Sequence, residues 1–305
     1  MEGPKKLLLA ATVFNILVLA AVLVVNAGAG DLGVKWGWFR NTTANISVKY
    51  PSDITPTPST FAIWGVIYAY QFAWIIYSLS LLCRKSLNGY LYFTPYFMPL
   101  FFYVLYWFCQ FGNIAWLFIW DREYLYASAP VLFMTAIFLV GSLATSMSAL
   151  AEAASELIHE GKSRELWLVR GFVHNGVGMY ATWLTVASHV GLSATLIYRE
   201  PFLSMDVACS ICAGVLSAFV VLYTVLDNFV LDKHTRYLFT PYVVLVWALV
   251  GIIQRGFDPE RGSSIIVGLL LVYGLIAFVV KIVLVCVRSC KNPEPLTDAH
   301  AHKAI

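Results

Sequence analysis

Residues 56–68 read PTPSTFAIWGVIY and open one of eight long apolar stretches in this chain. A helix needs about 20 apolar residues to cross the hydrocarbon of a bilayer, and seven of the eight stretches exceed that length. The seventh stretch is the shortest and also fits a re-entrant segment. We predict eight membrane spans, at residues 7–27, 60–83, 97–120, 126–150, 167–197, 205–230, 238–254 and 264–287.

The composition also indicates a membrane protein. Of the 305 residues, 60% are hydrophobic and 12% are charged, whereas a soluble domain carries roughly 25% charged residues. Lipid must therefore cover most of the surface. The net charge of +3 comes without a basic block, which argues against nucleic acid as a partner. We expect an all-α, multi-pass integral membrane bundle whose first partner is the lipid bilayer.

The distribution of Lys and Arg predicts the orientation. With the N-terminus inside, the inner segments carry eleven of these residues and the outer segments carry seven, in line with the positive-inside bias. Both termini, including a short tail at 292–305, are then cytoplasmic. The apolar core from Leu7 to Val25 is longer than the roughly 7–15 residues of a signal-peptide core. We therefore interpret the first stretch as a retained anchor.

The long outer loop, residues 28–59, contains two N-glycosylation sequons. They are Asn41-Thr42-Thr43 and Asn45-Ile46-Ser47, and neither has Pro in the middle. Both lie in the loop that the charge bias already places outside. The sequence thus predicts a glycoprotein of the plasma membrane or an endomembrane, with sugars on Asn41 and Asn45.

Three spans each present aromatic and amide or small side chains on one helical face, at spacings of three or four residues. An amide in hydrocarbon must find a partner, so these faces should point toward other helices. If they converge, they enclose a hollow with flat apolar walls, suited to a rigid hydrophobic ligand. Ordinary core packing is the alternative. The residues are Trp64, Tyr68 and Gln71; Gln110, Asn113, Trp116 and Trp120; and Tyr180, Trp183 and Ala187.

These segments resemble, in chain order, the TspO family of tryptophan-rich sensory or translocator proteins. The resemblance covers roughly residues 1–197 and is greatest to the longer branch, which has extra helices. It implies a TspO-like five-helix core at 1–197 with the outer loop at 28–59, followed by an additional three-helix segment at 198–291. The matching motifs are Pro58-x-x-Phe61-x-x-Trp64-x-x-x-Tyr68, Gln110-x-x-Asn113-x-x-Trp116 and Tyr180-x-x-Trp183-x-x-x-Ala187.

The resemblance implies a receptor, sensor or carrier that binds a tetrapyrrole, sterol or similar hydrophobic small molecule between helices. A tetrapyrrole is thus a candidate cofactor, and a homodimer is a candidate assembly. The sequence has Gly176 and Gly191 where the longer branch often has Pro and the family usually has Asn. The ligand-binding residues that we expect are Trp64, Tyr68, Asn113, Trp116, Tyr180 and Trp183.

Ionisable residues within spans are costly and point to function or to pairing. His174 and Asp227 are candidate ligand or ion contacts, and Asp227 is a candidate partner of Lys281. These groups support an alternative function as an ion- or proton-coupled transporter or channel. A structural or signalling scaffold is a further alternative.

The sequence contains no nucleotide-binding loop, no His-Glu-x-x-His and no Gly-x-Ser-x-Gly motif. We therefore expect neither an enzyme nor a metal site. The six cysteines lie in or beside apolar spans, which argues against a disulfide framework. Cys286 and Cys290 flank the end of the last span near Arg288 and Lys291, a position that suits reversible palmitoylation.

Overall fold

The computed structural model describes residues 2–200 and 202–291, and the described chain is almost entirely helical. The predicted tail at 292–305 lies outside the described residues. A long helix stands at each of the eight predicted spans, and consecutive long helices run in opposite directions. We call the end of the bundle that carries residue 2 the inner end, and the opposite end the outer end.

The helices follow one another with short connections, apart from the segments that follow α1 and α4. A 3-10 turn at Pro58–Ala62 leads into α4, and a small antiparallel hairpin, β1 (Lys85–Ser86) with β2 (Gly89–Tyr90), follows it. The helices are α1 (Glu2–Gly28), α2 (Asp31–Lys35), α3 (Thr43–Lys49), α4 (Ile63–Ser80), α5 (Leu100–Asp121), α6 (Leu125–His159), α7 (Ser163–Leu168), α8 (Asn175–Arg199), α9 (Met205–Val225), α10 (Asp232–Thr235), α11 (Thr240–Arg255) and α12 (Gly262–Lys291). Two π-helical segments, Val169–His174 and Leu226–Val230, join α7 to α8 and extend α9.

Among the described residues, six helical segments are long and apolar enough to cross a membrane: α1, the 3-10 turn with α4, α5, α6, α9 with its π-helical extension, and α12. The protein is therefore an integral, multi-pass membrane protein. The two remaining long helices are α8 and α11. With 16 residues, α11 rises only about 24 Å, yet its two ends lie at opposite ends of the bundle.

The outer end of α11 approaches the start of α4 closely at Gly251. A Cβ atom there would lie 2.1 Å from Thr60 Oγ1, so no larger residue fits without movement. The same approach lets the Thr57 amide donate to the Gly251 carbonyl at 3.0 Å. Trp247 Nε1 also donates to the Thr60 carbonyl at 2.9 Å. These contacts fix α11 beside the aromatic start of α4.

The central helix of the bundle is α8, which contacts α4, α6, α9 and α11. Fifteen of its 25 residues are buried. Its sequence is richer in Gly, Ser and Thr than the helices on the outside of the bundle. A helix enclosed by other helices gains from small side chains, because they let neighbouring backbones approach closely.

The inner end of α8 is positioned by one amide side chain. Asn175 Nδ2 donates to the carbonyls of Arg170 and Tyr237, each at 2.8 Å. Its Oδ1 accepts from the amides of Phe239 and Thr240 at 3.0 and 3.1 Å. Asn175 therefore ties the π-helical segment, where backbone bonding is irregular, to the connection that begins α11.

Candidate functional site: an aromatic cavity at the outer end

The aromatic rings of α4 and α8 meet on one side of the bundle. Trp64 stacks on Tyr68 with ring centroids 5.4 Å apart, and its edge contacts Tyr180 at 5.6 Å and Trp183 at 6.3 Å. Phe61 meets Trp183 edge-on at 5.6 Å. These distances and angles are the ones that favour aromatic pairs. The cluster forms because positions 61, 64 and 68 repeat at helical spacing opposite 180 and 183.

A cavity opens between this cluster and the outer end of α5. Its empty space, including its mouth, is about 650 Å³. We call it the outer cavity, and its aromatic walls are Tyr50, Phe61, Trp116, Trp120 and Trp183. On α5, Trp116 and Trp120 stack at 5.8 Å with their planes 17° apart. Trp116 Nε1 donates to Ser128 Oγ at 2.8 Å, which fixes the orientation of the indole.

The rest of the outer cavity is lined by small aliphatic residues and by hydroxyls. None of the described residues that line it carries a charge. One wall is a strip of α8, and residues that carry hydroxyls line the cavity from the outer segment, which we define as residues 29–57. The strip consists of Val186, Ala187, Val190, Gly191 and Ala194, the hydroxyl residues are Thr43, Ser47 and Thr55, and Leu132 of α6 and Pro56 complete the lining.

A family profile described as TSPO-like protein matches residues 12–285. The chain belongs to the TSPO-like family. Comparison with curated proteins and with solved structures gave no match. The match extends well beyond residue 197, so it includes α9, α11 and most of α12.

In this TSPO-like protein, the six predicted ligand-binding residues fall into three groups. Trp116 and Trp183 line the outer cavity. Trp64 packs against Trp183, and Tyr68 and Tyr180 continue the ring cluster behind it. Asn113 lies elsewhere: its Oδ1 accepts from Asn26 Nδ2 at 2.9 Å, so it joins α5 to α1.

The two candidate ligand or ion contacts lie away from the outer cavity. His174 is buried, and its Nε2 is 3.1 Å from Ser146 Oγ. Asp227 lies at the inner end of α9, where Lys281 Nζ is 2.9 Å from its Oδ2. The predicted Asp227–Lys281 pair is thus confirmed in the structure. Among the described residues there is no group of three His, Cys, Asp or Glu side chains that could hold a metal.

The outer segment covers the outer cavity of the TSPO-like bundle and is fastened at its edge. Asp121 Oδ1 accepts from the amides of Arg40 and Asn41 at 2.8 and 2.9 Å. Both Lys49 and Tyr50 donate to Glu123 Oε2. These two hydrogen bonds hold the pKa of Glu123 below its ordinary value. The carboxylates at the end of α5 therefore clamp the segment that closes the cavity.

Both predicted glycosylation residues lie in this covering segment. The side chains of Asn41 and Asn45 are exposed at the outer end. Asn45 lies in the first turn of α3, where its backbone amide donates to Thr42 Oγ1 at 3.1 Å. The side-chain amides of both residues are therefore accessible at the end of the bundle opposite to the N-terminus.

Sequence reasoning did not select several lining residues as ligand contacts. Phe61 and Trp120 belong to the quoted aromatic patterns, so a signal for them existed. Gly191 was noted as a departure from the family, and the structure places it in the cavity wall. Nothing in the sequence indicated that the outer cavity is lined by Thr43, Ser47 and Tyr50. The local sequence of a loop does not show which helix ends the loop covers.

Proposed function

We propose that the outer cavity binds an uncharged, flat hydrophobic small molecule, and that the protein works as a receptor, sensor or carrier for it. The observation that carries this proposal is an aromatic cavity with hydroxyls at one wall and no charge in its described lining. Its lining is mostly apolar and aromatic with a few polar groups, which is the usual composition of a small-molecule site. Indole faces provide large, rigid contact area for a planar ligand.

The lining also bears on the class of ligand. A sterol presents one hydroxyl and a rigid apolar body, which match the Thr and Ser hydroxyls and the indole walls. A tetrapyrrole carries carboxylates, and buried charges need a partner. We therefore propose a neutral sterol-like ligand ahead of a tetrapyrrole. Binding is proposed rather than catalysis, since the described lining holds hydroxyls without a neighbouring base.

Gly191 offers a matched pair of variants for the test. A Cβ atom there would lie 3.6 Å from Leu132 Cδ1, an ordinary contact, so Gly191→Ala should fold and keep the cavity. Gly191→Phe should place a ring inside the cavity and displace the ligand. The experiment measures energy transfer from tryptophan to the fluorescent sterol dehydroergosterol in detergent micelles, with protoporphyrin IX titrated in parallel.

We expect Gly191→Ala to bind dehydroergosterol as the unmodified protein does, and Gly191→Phe to lose at least about tenfold in affinity, the equivalent of 1.4 kcal/mol. Trp116→Ala should also weaken binding without unfolding the bundle. Equal affinities of all variants for both probes would refute the outer cavity as the site. Tighter binding of protoporphyrin IX would reverse the proposed order of ligands.

A second candidate function is ion- or proton-coupled transport, favoured by the buried Asp227–Lys281 pair. Charges within a membrane bundle often mark a proton or ion path. This function predicts a pH-dependent flux in proteoliposomes that Asp227→Asn removes. Absence of any flux in the unmodified protein would leave the pair as a structural element.

Glycosylation of Asn41 and Asn45 stays a proposal, supported by their exposure at the outer end.

A further inference from the structure

The six cysteines divide by exposure and by level in the bundle. Cys109, Cys209 and Cys212 are buried. The other three are exposed, and all of them lie at the inner end of a long helix: Cys83 after α4, and Cys286 and Cys290 in the last two turns of α12. Free cysteines are usually buried as small hydrophobic residues. The exposed thiols at one level therefore need a separate explanation.

Cys286 and Cys290 lie one helical turn apart and share a face of α12. The same face continues toward the membrane centre through Val279, Ile282 and Val283, whose exposed fractions are 59%, 43% and 53%. Such exposure of large apolar side chains on a membrane helix marks the side that meets lipid. The two thiols thus stand at the inner end of a lipid-facing stripe.

The cations around these thiols define their depth. Arg288 lies between the two cysteines in sequence and pairs with Asp232 of α10 at 2.6 Å. Lys291 is exposed at the last turn. Basic residues mark the boundary between hydrocarbon and headgroups. A thiol at this depth is reachable from water, while a chain attached to it would lie in lipid.

We propose that Cys286 and Cys290 are sites of S-acylation by long-chain fatty acids. The thiolate sulfur attacks the carbonyl carbon of a long-chain acyl thioester such as an acyl-coenzyme A. A new thioester forms, the carrier's carbon–sulfur bond breaks, and the carrier thiol leaves with the proton that the cysteine loses. No oxidant or reductant takes part, and the charge bias of the sequence assigns this end to the cytoplasm, where acyl-coenzyme A is made.

The surroundings fit acyl chains better than the other uses of paired thiols. The described residues provide no third His, Cys, Asp or Glu that would complete a metal site with this pair. The exposed side chains of Ile282 and Val283 give each acyl chain an apolar surface to lie on. Acylation would lengthen the apolar face of α12 at the membrane surface. This inference does not depend on the proposed ligand-binding function.

The test uses the full chain expressed in mammalian cells. Free thiols are blocked, thioesters are cleaved with hydroxylamine, and each released thiol is coupled to a polyethylene glycol mass tag. The number of mass shifts on a gel then counts the acylated cysteines. The variants are Cys286→Ser, Cys290→Ser and their combination, with Cys83→Ser and the buried pair Cys209→Ser/Cys212→Ser as matched controls.

We expect the Cys286→Ser/Cys290→Ser variant to show two shifts fewer than the unmodified chain, and each single variant to show one fewer. The control variants should keep both shifts, since they leave the α12 pair intact. No hydroxylamine-dependent shift in the unmodified chain would overturn the proposal. The same number of shifts in the unmodified chain and the double variant would overturn it as well, whatever Cys83 contributes.

Discussion

Replacing Lys281 by Met should destabilise the bundle strongly, because the buried carboxylate of Asp227 then loses its charge partner. Lys281 and Asp227 are 1% and 0% exposed, and Lys281 Nζ lies 3.0 and 2.9 Å from the two carboxylate oxygens. Tyr242 Oη donates to Asp227 Oδ2 at 2.6 Å, and Lys281 also donates to the Thr235 carbonyl at 3.1 Å. The pair thus connects α9, α10, α11 and α12.

The expected magnitude follows from this burial. Breaking a buried pair by removing one partner costs about 3–5 kcal/mol, because the remaining charge is left without compensation. Replacing both partners by neutral residues of similar volume is often close to neutral. We therefore expect Lys281→Met and Asp227→Asn each to lose about 3 kcal/mol or more, and the double variant to lose much less than their sum.

The assay is equilibrium unfolding in mixed micelles, with increasing sodium dodecyl sulfate and circular dichroism as the readout. Arg261→Met is the control variant. Arg261 pairs with Asp53 and Asp258 at the outer end and is 45% exposed, so solvent screening should leave its removal without a measurable effect. A double-mutant cycle then isolates the coupling between Asp227 and Lys281.

The reasoning fails if the two single changes are additive in the double variant, or if Lys281→Met is no more destabilising than Arg261→Met. Either result would mean that water reaches the pair. The pair would then contribute little to holding the last three long helices together, and their packing would depend on apolar contacts alone.

Two further predictions concern the outer segment and the inner end of α8. Because hydrogen bonds from Lys49 and Tyr50 lower the pKa of Glu123, their stabilising contribution is complete above the ordinary glutamate value of 4.5 and is lost as the pH falls through the lowered value. The protection of residues 43–50, which is their deuterium uptake corrected for the intrinsic pH dependence of amide exchange, should therefore fall on acidification in the unmodified protein but show little such change in Glu123→Gln. Asn175→Ala should lower the free energy of unfolding by about 2–4 kcal/mol in the same assay, because four hydrogen bonds of the Asn175 side chain are lost. Asn175→Asp, which keeps the two acceptor contacts, should fall in between, and equal loss in both variants would contradict the assigned contacts.

The hydrophobic pattern alone predicted the helices well. A long helix stands at each of the eight stretches, because hydrocarbon leaves a chain few alternatives to a closed hydrogen-bond pattern. The Asp227–Lys281 pair could also be predicted from the sequence. Two opposite charges at the same depth in a membrane bundle are costly apart and stabilise each other when they pair. The positions of the helices and this ion pair could be predicted without knowing which helices are neighbours.

The candidate site was harder to predict, because it depends on helix neighbours. Trp183 and Trp116 point into one cavity, but Asn113, three residues before Trp116, turns toward Asn26 of α1. Helical spacing shows that the two residues share a broad face, yet the boundary between two neighbouring helices can divide that face. The outer segment is a second limit, since the clamp of Lys49 and Tyr50 on Glu123 joins residues more than 70 positions apart.

The position of α8 explains both its unusual sequence and its place in the site. Thr182, Thr185 and Ser188 donate to carbonyls four residues earlier in the same helix, at 2.9, 2.9 and 2.6 Å. Hydroxyls satisfied in this way can stay in a bundle interior without partners from other helices. A helix surrounded by other helices therefore tolerates a polar composition that would be costly against lipid, which is why α8 is central and yet less apolar than its neighbours. None of these three residues lines the outer cavity, so the polar group of the proposed ligand should be recognised from the other wall, by Thr43, Ser47 and Thr55. Ser47 Oγ donates to the Thr43 carbonyl at 3.0 Å, so its oxygen remains available as an acceptor. The helices would then provide the apolar surface that determines affinity, and the outer segment would determine which ligand is accepted.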